Sequence, residues 1–357
     1  MVRCATAGAV VPAGVPNSTR PLWFAALVGL ACANPFGPGD EAPTDVADDT
    51  DPPPAPSPPP EPERPQIPVR DRVEKVATAT DDGTRFTWFH QPSRVFKGNP
   101  PLVVVLHGGQ ESDPRVFARK VDHWFDRGVA FAFPSAREAA ERAKGKGKNK
   151  ERGKSKQRGD EDEDDLAWKE EGDAEYVERL VAQLVTERGV DPDRVYLVGF
   201  GSGGELGWKL ACESTAFAGY GLVSAGLLRT EASTCPMPGL PVKLAVFQAT
   251  EDPWLLWTGD ETWVAVNEAM STFGGRMRCD LASPTEVLRD DLDPDDGARV
   301  TERTWTCPDG ALRLYELGGP SRGWPTRTPG ERGGTATHDV DTMDELARFF
   351  GFPGAPP

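Results

Sequence analysis

The chain has 357 residues, a formal charge of −16, 35 prolines, 38 glycines and 6 cysteines. So acidic a balance argues against a nucleic-acid partner. The cysteines form no C-x-x-C pair and no His/Cys cluster. They fit neither a disulfide-dense scaffold nor a metal site, and no cofactor is implied.

Residues 1–32 read as an export signal. Arg20 precedes an apolar segment, 21–32, that is too short to span a bilayer comfortably. Small residues ending at Cys32 resemble a bacterial lipoprotein signal, in which Cys32 would carry the lipid. The expected setting is the bacterial cell envelope, either secreted or tethered to the membrane through Cys32. Residues 33–68, with Asp51-Pro52-Pro53-Pro54 and Pro58-Pro59-Pro60, hold too little apolar surface to fold and are expected to be an extended linker.

Residues 69–357 remain, about 290 in all, which suits one α/β domain with an insertion. Residues 85–90 have strand composition, and 101–106 is the continuous apolar run of a buried parallel strand, ending in His107-Gly108-Gly109. A helix is expected over 115–127 and another buried strand over 128–134. Residues 140–166 form a charged insertion. Its basic run, 144–158, is followed at once by Asp160-Glu161-Asp162-Glu163-Asp164-Asp165, the pattern of a disordered surface loop. Over 173–187 the apolar residues Tyr176, Val177, Leu180, Val181 and Leu184 have helical spacing. Strands follow at 195–198, 220–224, 242–247 and 312–317, and a closing helix at 341–350. Strands alternating with helices imply a parallel sheet with right-handed crossovers.

The most informative stretch is Gly199-Phe200-Gly201-Ser202-Gly203-Gly204, between the strand at 195–198 and an apolar helical run. Strand, tight turn and helix are the setting of a nucleophile elbow, which needs small residues two before and two after its centre. Centring the turn on Gly201 meets that demand, with Gly199 and Gly203 on either side. Centring it on Ser202 puts Phe200 where a small residue belongs. Ser202 then reads as the N-cap of the following helix.

Taken in order, several segments resemble the α/β-hydrolase fold: 101–108, Asp191-Pro192-Asp193-Arg194, Leu210-Ala211-Cys212, Ala249-Thr250-Glu251-Asp252, and Cys307-Pro308-Asp309-Gly310 leading to Trp324-Pro325. Within that fold they are similar to the secreted polyhydroxybutyrate depolymerase and feruloyl esterase-like family. The resemblance covers roughly residues 80–351. It implies a mostly parallel central sheet with helices on both faces, and ester hydrolysis by a serine, a histidine and an orienting aspartate. Gly108 and Gly109 would supply oxyanion N–H groups, and His107 would fix that turn. Asp252 falls where the family holds its acid, with Glu251 a weaker candidate. The family's serine position, however, falls on Gly201, and its histidine, two residues before Trp-Pro, falls on Arg322. Arginine stays protonated and cannot serve as the base. His338 is the remaining late histidine, while His90 and His123 read as structural. The family often has cysteines where Cys212, Cys235, Cys279 and Cys307 stand, so that Cys212–Cys235 and Cys279–Cys307 are candidate disulfides.

The reading this favours is a chain with a degenerate triad, Gly201 and Arg322 replacing serine and histidine. It would bind a small-molecule or polymeric ester-like ligand without turnover, and Arg322 would favour an anion there. The alternative is an active serine ester hydrolase using Ser202, Asp252 and His338. A third reading places a protein-partner site in the charged insertion.

Overall fold

The computed structural model describes residues 71–81, 83–93, 98–109, 113–136, 167–168, 170–236, 242–308, 310–319, 323–327 and 336–355. The export segment with Cys32, the proline-rich stretch, the charged insertion and Arg322 lie outside the described residues.

The β-branched runs recognised in the sequence become the middle of a ten-stranded sheet. In chain order the strands are β1 (Glu74–Thr80), β2 (Gly83–His90), β3 (Leu102–Leu106), β4 (Ala130–Pro134), β5 (Val195–Phe200), β6 (Gly219–Val223), β7 (Val242–Ala249), β8 (Thr285–Leu288), β9 (Arg299–Trp305) and β10 (Gly310–Gly318). Their order across the sheet is β1-β2-β4-β3-β5-β6-β7-β10-β9-β8. From β4 to β10 every pairing is parallel. The pairings of β1 with β2, β2 with β4, β10 with β9 and β9 with β8 are antiparallel. In register, Leu102 lies beside Val195, and Gly199 beside Leu222.

All five residues of β3 are buried. Leu102, Val104 and Leu106 join one apolar cluster and Val103 and Val105 another. Successive strand residues point to opposite faces, so both faces of this strand are covered. The helices are α1 (Arg115–Lys120), α2 (Glu170–Arg188), α3 (Ser202–Glu213), α4 (Arg229–Thr234), α5 (Val266–Arg276) and α6 (Thr342–Phe350). Tyr176, Val177 and Leu180 of α2, Leu206 and Trp208 of α3, and Met270 and Phe273 of α5 pack on the first face. Phe117 of α1 and Met343, Leu346 and Phe350 of α6 pack on the second. Cys212 is bonded to Cys235, and Cys279 to Cys307.

Two local expectations are corrected. Residues 115–127 do not make one helix. The α1 helix stops at Lys120, Val121 leaves helical geometry at φ −123°, and Asp122–Trp124 form a single 3-10 turn. That break lets Trp124 and Phe125 both enter the core, each fully buried. Strands β8 and β9, a hairpin between α5 and β10, were not expected at all. Among the described residues no helix is long and apolar enough to cross a membrane.

Candidate active site

The C-terminal ends of β3, β5, β7 and β10 share one edge of the sheet, and Gly108, Gly201, Ser202 and Asp252 stand just beyond the first three of them. Between β5 and α3 the chain turns within one residue. Gly201 has φ 53° and ψ −124°, a conformation side-chain-bearing residues rarely adopt, and α3 starts immediately after it. The turn is held by the Gly201 N–H donating to Val223 O at 3.0 Å, and by the Gly204 and Glu205 N–H groups donating to Gly201 O at 2.9 and 3.0 Å.

The flanking glycines are required by contact. A Cβ on Gly199 would lie 2.3 Å from Gly203 O, one on Gly203 would lie 2.5 Å from His107 O, and one on Gly204 would lie 2.4 Å from the Ala225 Cβ. Gly201 differs. A Cβ built there would meet only the Gly108 Cα, at 3.7 Å, an ordinary contact. The centre of the elbow therefore faces the Gly108 turn, the place the resemblance gives to the oxyanion donors, and has room for a side chain it lacks.

Ser202 is the first residue of α3, and Gly201 is its N-cap, with no side chain capping the helix. The expectation that Ser202 caps α3 is thus corrected: the helix begins one residue too early for the hydroxyl to fold back on it. Ser202 Oγ is buried and has no hydrogen-bond partner among the described residues.

His107 fixes the neighbouring turn. Its Nδ1–H donates to Gly108 O at 2.7 Å, and its Nε2 accepts from the Ala136 N–H at 3.1 Å. Trp168 Nε1 donates to His107 O at 2.9 Å. Burial pushes the imidazole pKa down to about 4, so the ring is neutral at ordinary pH.

Asp252 follows β7 and is 3 % exposed. Its Oδ1 accepts from the N–H groups of Trp254 and Leu255 at 2.9 and 3.1 Å, and its Oδ2 from Gln248 Nε2 at 3.4 Å. It organises its own turn, and beyond it Trp254 and Leu256 are 62 % and 47 % exposed. His338 engages other carboxylates: its Nδ1 lies 2.7 Å from Asp293 Oδ2, and its N–H donates to Asp296 Oδ2 at 2.8 Å. Among the described residues, neither Ser202 Oγ nor Asp252 has a histidine partner.

No protein-family model and no curated protein matches the sequence. Solved structures do match in shape. Thermogutta terrifontis esterase 2 phosphorylated by paraoxon superposes with a TM-score of 0.50 at 15% identity, over 82% of this chain and 98% of that one. The same esterase phosphoramylated by tabun gives 0.50 at 14% identity, over 82% and 98%. An acetyl xylan esterase from Aspergillus awamori gives 0.49 at 14%, over 78% of this chain and 99% of that one. At such identities a likeness speaks for the fold alone. Together with the strand order and the elbow between β5 and α3, it establishes that this chain has the α/β-hydrolase fold.

Proposed function

We propose that the chain is an esterase-like protein of this fold that binds a small ester-like molecule at the elbow without hydrolysing it. The observation that carries this reading is Gly201. The residue holding the elbow's conformation and facing the Gly108 turn has no side chain. Without a nucleophile at that point, an ester placed against the turn would be held but not attacked. Trp254 and Leu256, on the turn that follows β7 at the same sheet edge, are exposed and offer apolar surface.

A second reading, an active serine ester hydrolase using Ser202, Asp252 and His338, is favoured by the comparisons. Two of the similar solved structures are of one esterase, phosphorylated by paraoxon in the first and phosphoramylated by tabun in the second. Against it stands the distribution of partners: Ser202 Oγ has none among the described residues, and His338 is held by Asp293. A general base must come within hydrogen-bond reach of the proton it takes.

Intact-mass measurement of the full chain after exposure to paraoxon or a fluorophosphonate separates the readings. The expected result is no adduct, with phenyl acetate titration still changing tryptophan fluorescence while no phenol is released. An adduct that disappears in Ser202→Ala would establish the second reading and end the first. No fluorescence change with phenyl acetate would count against the binding role.

A further inference from the structure

We propose that Asp293, Asp296 and His338 form a binding site for one divalent first-row transition ion of the Zn²⁺ type. The site rests on the reading in which the elbow is inert, because an active triad would need His338 as its base. Asp293 and Asp296 lie on the loop joining β8 to β9. Arg299, at the start of β9, pairs with Gly318 at the end of β10, so the loop hangs from the same sheet edge as the elbow. His338 comes from the segment leading into α6. One ligand atom from each of the three lies within 4.8 Å of the others, and all three residues are part-exposed, so an ion can reach them from solvent.

The three side chains are already held in place. Besides the His338 N–H, Thr337 Oγ1 donates to Asp296 Oδ2 at 3.2 Å, and Asp296 Oδ1 accepts from the Ala298 N–H at 2.7 Å. Such supporting bonds orient ligands before an ion arrives.

A separate observation points to a missing positive charge. Asp339 is 3 % exposed, and its Oδ1 accepts from the N–H groups of Leu292 and Asp293 at 2.7 and 3.3 Å. Its carboxylate therefore faces the loop that carries the ligands, yet its Oδ2 is buried with no hydrogen-bond partner among the described residues. The same holds for Oδ1 of Asp291, whose other oxygen pairs with Arg299. Of Asp291, Asp293, Asp296 and Asp339, only Asp291 is paired with an arginine among the described residues, namely Arg299. Unpaired buried anionic oxygens are costly unless positive charge lies close by. A divalent ion between Asp293, Asp296 and His338 would supply it.

The donor set selects the ion. An imidazole nitrogen with two carboxylates suits Zn²⁺ and its neighbours, at about 2.0–2.2 Å, whereas Ca²⁺ takes oxygen ligands only. Binding would exchange the His338–Asp293 hydrogen bond for two metal–ligand bonds, the ring proton relocating to Nε2 through solvent. A second group, His123 with Asp341 and Asp344, is equally close in space. Its carboxylates are committed elsewhere: Asp341 caps α6, and Asp344 accepts from Trp124 Nε1 at 2.9 Å.

The test is calorimetric titration of the EDTA-stripped full chain with Zn²⁺, alongside thermal melts with and without the ion. One site per chain and a raised melting temperature are expected. Affinity should fall at least about tenfold in both Asp293→Asn and His338→Gln and stay unchanged in His123→Gln. Circular dichroism identifies a variant that fails to fold, in which case the other variant decides. The proposal is overturned by absence of binding, by variants that bind as tightly as the parent, or by tighter binding of Ca²⁺ than of Zn²⁺.

Discussion

Gly203 shows how little freedom the elbow leaves. Its missing Cβ would sit 2.5 Å from His107 O and 2.7 Å from the Leu106 Cβ, so α3 rests directly on the end of β3. Gly203→Ala is therefore expected to cost about 1–3 kcal/mol through forced backbone displacement, read as a lower urea midpoint at unchanged m-value. This much was legible in the sequence, because only glycine at 199 and 203 lets strand and helix come so close. Two things were not. The angles at Gly201 are set by the hydrogen bond to Val223 O across the sheet, which no local pattern records. Ser202 misled because serine is a favoured cap, whereas here Gly201 takes the capping position and Ser202 becomes the first residue of the helix. As for Asp252 and His338, their bonding partners, Gln248 and Asp293, depend on tertiary contacts that no local pattern records.

At the scale of elements, the 3-10 turn Asp122–Trp124 is tied to the start of α6 by His123, whose Nε2 lies 3.3 Å from Asp344 Oδ1 and 3.6 Å from Asp341 Oδ1. Burial acts to lower the pKa of His123. Hydrogen bonds and charges from Asp341 and Asp344 more than reverse this, raising it from 6.5 to about 9. A folded-state value above the unfolded one means that the stabilisation is fully present below pH 6.5 and is lost as pH rises through about 9. Melting temperature should accordingly decline over that window, and His123→Gln should flatten the decline. A parent profile as flat as the variant's would refute the coupling. The apolar strands β3, β4, β5 and β7 were legible because burial on both faces makes them continuous hydrophobic runs. Strand β9 was not: Val300, Glu302 and Trp305 are buried along it, and the charged Glu302 breaks the apolar alternation. Glu302 is admissible there because Arg289 and Arg313 pair with it, each at 3.0 Å.

Across the whole molecule, that pairing belongs to a larger network. Glu345 of α6 is fully buried, and its carboxylate meets Arg289 at 2.8 Å, Arg348 at 2.5 Å and Tyr315 Oη at 2.9 Å. It fastens the last helix to the end of β8 and to β10. Removing one partner of a buried ion pair leaves the others uncompensated, so Glu345→Ala should cost about 3–5 kcal/mol in denaturant unfolding. A loss below about 1 kcal/mol would show that solvent already screens the arginines. The two disulfides act at the opposite end of the sheet. Helix α3 runs back from the elbow to Cys212, and Cys307 follows β9 where it leaves the start of β10, Trp305 facing Leu312. Their spans, 212–235 and 279–307, do not interleave, with separations of 23 and 28 residues. Each cysteine is thus joined to its nearest neighbour in sequence among the four, the pairing with the lowest loop-closure entropy. A chain emerging N-terminus first can therefore close the first loop before the second pair has been synthesised.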